Sequence, residues 1–399
     1  MRLYIVTANW GKGGPGGIAA DLYKVAISEG WECRFAYGRE TIPEDVNSYR
    51  IGTQITPYIH AVSSMIFDNA GFVTRRSTLA LIKDIEAFKP DVVNLHNPLG
   101  YTMNVGILFD FFKRSKIPVV WTIHDIWSIT GHCITGMCDH WKDGCGHCPN
   151  QREYPASYVF DRSKRNRKRK VECFSNVPNL QLVSPSKWLM NLAEKTYLKQ
   201  YEINVIPNGI DLDVFKPTAS KIRNRYGLEN KIILLSVAGV WAKNKGADYI
   251  YQLAKLMDER FVFVMIGENK DKELKNNSRI LHIEHTTDRK ELAQWYTVAD
   301  LFVNPTVGDN FPTVNLESLA CGTPVVTFDT GGSGESVGEC GTIVPQGDIE
   351  TLITSIQDVI DKKIAKERCV EQARCYEKLE RYREYLSLFS AICCENDNR

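Results

Sequence analysis

The sequence lacks any apolar run long enough to cross a membrane. A helix needs about 20 consecutive apolar residues to span a bilayer, and no stretch of the 399 residues approaches that length. The first residues, MRLYIVTANWG, also lack the extended apolar region of a signal peptide and have the pattern of a buried strand. These absences favour a protein of the cytoplasm.

The chain also has no excess of either charge. Its 49 Lys and Arg residues and 48 Asp and Glu residues leave a formal net charge of +1, which excludes the general attraction to nucleic acid that a strongly basic protein shows. An apolar share of 43% is typical of a folded chain. Because 399 residues exceed what one ordinary core organises, the length predicts two domains.

Short apolar runs alternate along the chain with amphipathic segments. The runs predict buried strands at Leu3–Thr7, Cys33–Tyr37, Val92–Leu95, Val119–Ile123, Gln181–Ser184, Ile232–Val237, Phe261–Ile266, Ile280–Ile283, Leu301–Asn304 and Val325–Phe328. Helical patterns include Gly17–Glu29, Thr78–Phe88, Asp248–Met257 and Arg289–Ala299. This alternation predicts an α/β fold of two doubly wound, Rossmann-like domains.

The turn Val205–Pro217, VIPNGIDLDVFKP, marks the boundary between the two patterns. It predicts an N-terminal domain over 1–203, a C-terminal domain over 204–375, and a final helical segment over 376–399 that packs back on the N-terminal domain. Ligands of open α/β sheets collect at the carboxyl ends of the strands. Two such domains facing each other across a cleft would therefore place the active site in that cleft.

The segment Val307–Glu317, VGDNFPTVNLE, carries the sharpest functional signal. Pro312 suits the first position of a helix and Gly322 suits its end. Backbone N–H groups near residues 310–314 would then form an anion site at a helix N-terminus. Glu317 lies five residues after Pro312, a rise of about 7.5 Å along the helix axis. It is on the side of the helix opposite Asn315, a side that we expect to face inward, and an inward carboxylate is energetically costly unless something binds it. The alternative is a buried salt bridge of Glu317.

Several motifs in order resemble one enzyme family. Asp309 and Glu317 with the following SLACGTPVV resemble the signature of the retaining glycosyltransferases of family 4, which have the GT-B fold. Asn208-Gly209-Ile210-Asp211, Ser184-Pro185-Ser186-Lys187 and Lys245-Gly246 are similar to that family's other motifs. The resemblance covers nearly the whole chain and is closest to bacterial enzymes of capsule, colanic acid and O-antigen (lipopolysaccharide) synthesis.

The resemblance implies a donor site in the C-terminal domain. Glu317 should hold the ribose hydroxyls, and Asp309, where the family has Glu, should lie beside the donor sugar. The remaining candidates for the sugar and phosphate oxygens are the backbone groups of Asn310, Phe311, Thr313 and Val314.

Basic residues should stabilise the leaving nucleoside diphosphate. Lys245 matches the family's Lys, whereas the family's Arg position falls on Val240, so Lys243 is the candidate for a second cation. The loop GKGGPGG at residues 11–17 is not a P-loop, because no Lys-Ser/Thr closes it. The resemblance implies that it borders the donor phosphates and the acceptor through Gly16 and Gly17, and the alternative is a tight strand-to-helix turn.

Two histidines follow predicted strands of the N-terminal domain. His124 and Asp125 come after the run PVVWTI, and His96 ends the run VVNLH. Ligands gather at such strand ends, and the resembling family keeps a His at the position of His124 near the donor sugar. We therefore predict a catalytic role for His124 and acceptor-side roles for His96 and Asp125. A structural histidine is the alternative in each case.

The implied reaction is transfer of a hexose-type sugar with retention, from a UDP- or GDP-linked donor to a glycan or polyprenyl-linked acceptor. The resemblance implies no catalytic metal. Asp211-Leu212-Asp213 matches a metal-binding pattern only by accident, since it lies in the interdomain turn.

Four cysteines cluster within residues 130–150, at Cys133, Cys138, Cys145 and Cys148. In a reducing compartment, clustered thiols with a closing Cys-x-x-Cys favour a structural zinc site over disulfides. Unliganded cysteines in an insertion loop are the alternative. The cluster does not alter the assigned chemistry.

The segment RSKRNRKRK at residues 162–170 carries seven cations. So dense a run repels itself without a partner, and anionic lipid attracts such segments. Because a lipid-linked acceptor lies in the membrane, we predict peripheral docking at the inner face of the cell membrane, aided by Trp188. The alternative is a solvated helix face.

Two other functions remain weaker candidates. A nucleotide-sugar epimerase on the same fold would isomerise a sugar without a glycan product. A nucleic-acid-binding protein built on the cysteine cluster and the basic run would show strongly salt-dependent affinity, and it leaves Asp309 and Glu317 unexplained. We therefore predict no nucleic-acid partner.

Overall fold

A computed structural model of the protein describes residues 1–11, 13–135, 138–241, 243–269, 278–284, 286 and 288–397. The chain forms two compact units, one of residues 1–207 with 381–399 and one of residues 208–380. The sequence placed the corresponding boundaries at 203 and 375. Within the described ranges, no helix is both long and apolar enough to cross a bilayer.

The strands, in chain order, are β1 (Arg2–Val6), β2 (Glu32–Tyr37), β3 (Ser48–Arg50), β4 (Val92–Leu95), β5 (Val119–Thr122), β6 (Leu180–Ser184), β7 (Ile203–Val205), β8 (Ile232–Val240), β9 (Phe261–Glu268), β10 (Ile280–Ile283), β11 (Leu301–Asn304), β12 (Val325–Phe328) and β13 (Gly341–Val344).

The helices are α1 (Gly13–Ser28), α2 (Thr56–Phe67), α3 (Arg75–Phe88), α4 (Val105–Arg114), α5 (Ser163–Phe174), α6 (Lys187–Glu194), α7 (Ile222–Tyr226), α8 (Ala247–Leu256), α9 (Arg289–Val298), α10 (Thr313–Ala320), α11 (Ile349–Lys362), α12 (Lys366–Arg374) and α13 (Lys378–Asp397).

The first unit is built on a parallel sheet. Its described strands run in the order β3-β2-β1-β4-β5-β6-β7. Successive residues of a strand point to opposite faces. Tyr4 and Val6 accordingly pack into one core cluster, whereas Leu3 and Ile5 pack into another. Both faces are covered, which explains why the strands read as continuous apolar runs.

Helix α13 belongs to the first unit from Arg381 onward, although the rest of that unit comes from the start of the chain. Tyr382, Tyr385 and Phe389 are buried in the same cluster as Leu3 and Ile5 of β1. These aromatic side chains cover one face of the sheet. Residues 381–397 of the predicted final segment thus pack within this unit.

The second unit repeats the same topology. Its described strands run in the order β10-β9-β8-β11-β12-β13, and all pair in parallel. In both units the strand order reverses beside the first strand, between β1 and β4 and between β8 and β11. Such a reversal opens a crevice at the carboxyl ends of the strands, where ligands of doubly wound sheets bind.

The sequence pattern did not predict every element, and the missed ones include three edge strands and helix α2. The edge strands β3 and β7 have three residues each, too few for an apolar run, and three of the four residues of β13 are partly or fully exposed. Helix α2 was also missed, because most of its apolar side chains are exposed. The ten predicted strands and the four predicted helices are confirmed, with shifts of a few residues at their ends.

Candidate active site

An ion pair lies at the switch point of the second unit. Lys245 follows β8 and Asp309 follows β11, the two strands between which the order reverses. The Nζ atom of Lys245 lies 2.7 Å from Oδ2 of Asp309. The two side chains are 36% and 21% exposed, so solvent reaches both. The fold therefore brings together two predicted site residues that are 64 positions apart.

Backbone packing fixes the loops that carry this pair. Gly246 has a φ of +75°, and a Cβ there would lie 1.9 Å from the Pro305 carbonyl oxygen. Gly331 has a φ of +58°, and a Cβ there would lie 1.8 Å from the Asp309 carbonyl oxygen. Both positions need glycine for space and for backbone conformation. The amide of Asn208 donates to the Phe311 carbonyl at 3.1 Å, which braces the same loop.

Helix α10 begins just after the ion pair. Its first residue is Thr313, and Pro312 is the N-cap with a ψ of 117°, so the prediction of Pro312 as the first helical residue was wrong by one position. Proline has no side-chain acceptor for the first-turn N–H groups, and this cap makes no side-chain hydrogen bond. The backbone N–H groups of the first turn, which includes Val314, are thus available to bind an anion at the N-terminus of the helix.

The two sides of α10 differ in chemistry. On one side Asn315 is fully buried, accepts from the Asn304 amide at 2.8 Å and donates to the Ser333 carbonyl at 2.9 Å. Its bonds are internal to the fold. On the other side Oε2 of Glu317 accepts a 2.8 Å hydrogen bond from the Tyr296 hydroxyl. Glu317 and Asn315 thus lie on different sides of the helix, as the sequence predicted.

Glu317 carries no ion pair among the residues that the structure describes. Burial raises the pKa of its carboxyl, while the hydrogen bond from Tyr296 and the charge of Arg289 oppose that rise. Burial also raises the pKa of Tyr296 well above its usual value, with the neighbouring carboxylate adding to the effect. A partly desolvated carboxylate held by a neutral phenol is available to accept hydrogen bonds from a ligand.

A second acidic group in this unit is committed to structure. Asp211 Oδ2 lies 2.6 Å from the Lys378 ammonium and 3.7 Å from Arg289. These cations lower the pKa of Asp211 against the effect of burial. This ion pair could not be predicted from the sequence, because Lys378 is 167 residues away from Asp211.

The structure gives fewer contacts for the other predicted donor-site residues. Phe311 is buried, and its ring lies 5.7 Å from that of Tyr376. Val240, at the family's Arg position, is 48% exposed. The side chain of Lys243 lies outside the described part of the chain, so its role as second cation stays a prediction.

Two histidines meet at the carboxyl end of the first unit's sheet. Nδ1 of His96 lies 2.9 Å from Nε2 of His124, and Nε2 of His96 lies 2.6 Å from Oδ1 of Asn94. Asn94 donates through its own amide nitrogen to the Val120 carbonyl at 3.0 Å. This bond orients the amide so that its oxygen faces His96, an arrangement absent from the predicted site.

The chain of bonds sets the histidine tautomers. Since Asn94 Oδ1 only accepts, His96 carries its proton on Nε2 and accepts through Nδ1. His124 must then donate from Nε2, which leaves its Nδ1 with a lone pair. Burial lowers the pKa of His124 to about 3 and that of His96 well below its usual value. Both rings are therefore neutral at physiological pH.

Asp125 differs from the histidine beside it. Its Oδ1 accepts from the Trp127 N–H at 2.9 Å, while burial raises its pKa to about 6. The buried ammonium of Lys170 partly opposes that rise. Asp125 is thus tied to its own loop.

The glycines at the start of α1 occupy helix rather than loop. The helix begins at Gly13, so the prediction that residues 11–17 form a loop before the helix was wrong for 13–17. A Cβ on Gly16 would lie 2.9 Å from the Asn9 carbonyl oxygen, so this glycine permits close packing. A Cβ on Gly17 would meet nothing within 4 Å, which leaves room for a ligand beside the helix start.

Sulfur atoms of the cysteine cluster lie close to one another. The sulfurs of Cys133 and Cys148 lie 3.8 Å apart, and the Gly131 N–H donates to the sulfur of Cys145 at 3.2 Å. None of the described cysteines, Cys138 included, forms a disulfide bond. No group of three or more His, Cys, Asp or Glu side chains among the described residues is arranged to hold a metal ion. The structural zinc site stays a prediction.

The basic run forms part of α5 and is largely used inside the first unit. Lys170 is fully buried, donates to the Trp127 and Thr130 carbonyls at 2.7 and 3.0 Å, and lies 3.7 Å from the Trp127 ring centroid. Arg169 covers the Phe72 ring at 3.7 Å. Trp188 packs partly buried against the core, and its role as a membrane anchor stays a prediction.

Comparison with known proteins assigns the family. The family described as Glycosyltransferase Family 4 matches residues 13–214, just over half of the 399 residues, and Glycosyl transferases group 1 matches residues 231–362. The chain belongs to glycosyltransferase family 4. This confirms the resemblance recognised in the sequence. The chain is 24% identical over 363 residues to the putative colanic acid biosynthesis glycosyl transferase WcaC of Escherichia coli K12, covering 86% of each chain.

Solved structures show the same fold. Sucrose-phosphate synthase from Thermosynechococcus elongatus aligns with a TM-score of 0.71 at 16% identity, over 98% of this chain and 99% of that one. HepE from Anabaena in complex with UDP aligns with a TM-score of 0.66 at 14% identity, over 98% and 99% of the two chains. These similarities confirm the predicted GT-B fold of the glycosyltransferase.

Proposed function

We propose that this glycosyltransferase moves a hexose-type sugar, with retention of configuration, from a nucleoside diphosphate donor to a glycan or lipid-linked acceptor. One observation carries the proposal. The switch point of the second unit combines the Lys245–Asp309 pair with the N-terminus of α10 and the partly buried carboxylate of Glu317. These groups match in charge the successive parts of a nucleotide sugar.

The diphosphate is assigned to the start of α10. The helix dipole and the first-turn N–H groups favour an anion there, and Lys245 supplies a full positive charge at the same switch point. As the bond to the sugar breaks, negative charge builds up on the leaving diphosphate. A fixed cation lowers the barrier because it interacts more strongly with that charge than with the ground state.

The ribose is assigned to Glu317. Its carboxylate can accept hydrogen bonds from two vicinal hydroxyls, and Tyr296 holds one of its oxygens at a fixed position. Glu317 lies on the helix four residues after Thr313, a rise of about 6 Å. That rise suits the distance between a diphosphate and the ribose that carries it.

Transfer needs no nucleophile from the protein. The bond between the sugar C1 and the diphosphate oxygen breaks, and the acceptor hydroxyl oxygen forms a bond to C1 on the same face. The hydroxyl proton passes to a leaving phosphate oxygen. Asp309 orients Lys245 and hydrogen-bonds the donor sugar, and His124, held by its bond to His96, is the candidate catalytic residue of the first unit. The rate then comes from positioning and electrostatic stabilisation.

Two relatives support the substrate class. WcaC is named for colanic acid biosynthesis, and structures of HepE contain UDP and UDP-glucose. We infer a UDP- or GDP-linked donor and a polyprenyl-linked or other glycan acceptor in bacterial surface polysaccharide synthesis. A lipid-linked acceptor would keep the enzyme at the cytoplasmic face of the cell membrane.

Thermal unfolding with a panel of nucleotide sugars tests the donor assignment. A donor present at 100 times its Kd stabilises the folded protein by about 2.7 kcal/mol, so the true donor should stand out. Turnover with that donor and a glycan acceptor should give a product whose anomeric configuration, read by NMR, matches the donor. Isomerised nucleotide sugar without a glycan product would instead identify an epimerase.

A further inference from the structure

Helix α2 has polar side chains on its buried side and apolar side chains on its exposed side, the reverse of the usual arrangement in a globular protein. Its buried side contains polar groups: His60 and Ser64 are both 0% exposed, and His60 Nε2 accepts from the Gly71 N–H at 3.0 Å. Its outward side is apolar. The most exposed side chains there are Ile55, Tyr58, Ile59 and Val62, at 64, 73, 60 and 56%.

A second segment extends this surface. The N–H of Tyr158 donates to the Met65 carbonyl at 2.7 Å, and that of Phe160 donates to the Ile66 carbonyl at 3.2 Å. The rings of Phe67 and Phe160 stack with centroids 6.0 Å apart. Tyr158 is itself 61% exposed. We call the outward side of α2 together with residues 158–160 the apolar face.

Basic side chains border the apolar face. The guanidinium of Arg162 lies 5.5 Å from the Phe67 ring centroid and 5.3 Å from that of Phe160. Further along α5, Lys164, Arg165 and Lys168 are exposed, in contrast to the buried Lys170. Residues 55–67 and 154–160 contain neither Asp nor Glu. The border is therefore cationic.

Three acidic residues flank these two segments: Glu153 is exposed, whereas Asp68 and Asp161 are engaged within the fold. Asp161 accepts hydrogen bonds from the Cys148 N–H at 2.6 Å and the Ser163 hydroxyl at 2.6 Å. Asp68 is 1% exposed and accepts from His132 and the Arg162 N–H. The fold thus occupies the carboxylates of Asp68 and Asp161, and one exposed flanking carboxylate, Glu153, stands against the three exposed cations Lys164, Arg165 and Lys168.

A contiguous exposed apolar surface of this kind marks an interaction site. A second copy of the chain docking through the same face would bring two cationic borders together, since a twofold contact pairs each patch with itself. An anionic bilayer matches both features: its interface accepts apolar and aromatic side chains, and its phosphates attract the bordering cations.

We propose that the apolar face inserts into the interface of an anionic phospholipid bilayer, with Arg162, Arg165 and Lys168 on the headgroups. The proposal rests on the membrane association in the proposed function and assigns it a surface. It moves the main contact from the basic run, whose inner side is structural, to α2 and residues 158–160. The enzyme would then lie on the membrane that carries its lipid-linked acceptor.

Sedimentation of the full chain with vesicles tests the proposal. Wild type should bind vesicles of equal phosphatidylcholine and phosphatidylglycerol more tightly than vesicles of phosphatidylcholine alone. The double variant Ile59→Ser with Val62→Ser should bind at least about tenfold more weakly, because two exposed apolar side chains no longer enter the bilayer. Replacing Arg165 and Lys168 by Gln should weaken binding to the anionic vesicles about fivefold for each charge.

Leu256→Ser is the matched control, because Leu256 is 62% exposed on α8 of the second unit. It should bind vesicles as wild type does. Unchanged binding of the Ile59/Val62 variant would overturn the proposal. So would a wild-type dimer, seen by light scattering, that this variant dissociates. Thermal stabilisation by UDP and GDP, measured on every variant, separates failure of this surface from failure of the proposed donor site.

Discussion

The two units share the order of six strands but differ in the pair of side chains that lies beyond the carboxyl ends of those strands. In the first unit His96 and His124 form a neutral, hydrogen-bonded pair whose pKa values are lowered by burial. In the second unit Lys245 and Asp309 form a charged pair that solvent reaches. The same topology thus supports a site without charge and a site built on charge.

The difference teaches that the topology sets where a ligand site lies and the side chains set its chemistry. Charged groups at the second unit suit a diphosphate, whose charge grows during the reaction. Neutral imidazoles at the first unit suit hydroxyl groups, which need directed hydrogen bonds.

Lys245→Met should have the largest effect. Loss of the cation removes stabilisation that is greatest when the diphosphate leaves, so kcat should fall by about 10²–10³. Lys255→Met on α8 is the control, since that exposed lysine contacts the Tyr251 ring instead. Steady-state measurement of kcat for the two variants tests this prediction. Equal kcat values would mean that charge at this switch point does not drive the reaction.

Glu317→Gln should weaken binding and strengthen the fold. It removes charged hydrogen bonds to the nucleoside, for a loss of affinity of about 10–100-fold. Because burial raises the pKa of Glu317, the ionised carboxylate costs stability at neutral pH. The amide should raise the free energy of unfolding by about 1 kcal/mol, or Tm by about 2–4 °C. A lower Tm with unchanged nucleotide affinity would identify Glu317 as structural.

Asn94→Leu should disturb the neutral pair. Without the amide oxygen, nothing fixes the proton of His96 on Nε2, so His124 no longer holds a single tautomer. We expect kcat to fall about tenfold, in line with a loss of one positioned hydrogen-bonding group. The ¹⁵N chemical shifts of His124 report its tautomer directly. Shifts unchanged from wild type would contradict the assignment made from the bonding pattern.

The pH dependence should be the smallest effect and should separate the units. As pH falls through the raised pKa of Glu317, its carboxylate takes up a proton and nucleotide affinity drops. His124, with a pKa of about 3, should add no step above pH 4. Nucleotide titrations from pH 8 down to 4 should thus show an acid-side loss in wild type that is absent from Glu317→Gln. A step that survives in that variant would point to another group.

Much of the fold could be predicted because both sheets are covered on two faces, which leaves apolar runs such as Val92–Leu95 and Val325–Phe328 visible. Helix α2 could not, since its apolar side chains point outward and break the usual rule. The position of Glu317 relative to Asn315 followed from helical spacing alone. The hydrogen bond from Tyr296 to Glu317 could not be predicted, because a bond between two different helices leaves no local pattern in the sequence. Lys245 and Asp309 were each predicted, but their contact depends on the strand order.

Calorimetric titration of wild type and Glu317→Gln with UDP and GDP tests the central claim most directly. We predict that wild type binds one of these nucleotides with a measurable Kd and that the variant binds it at least about tenfold more weakly while unfolding at the same or a higher temperature. Equal affinities for the two proteins, or no binding of either nucleotide by a folded wild type, would contradict a nucleotide site built on α10.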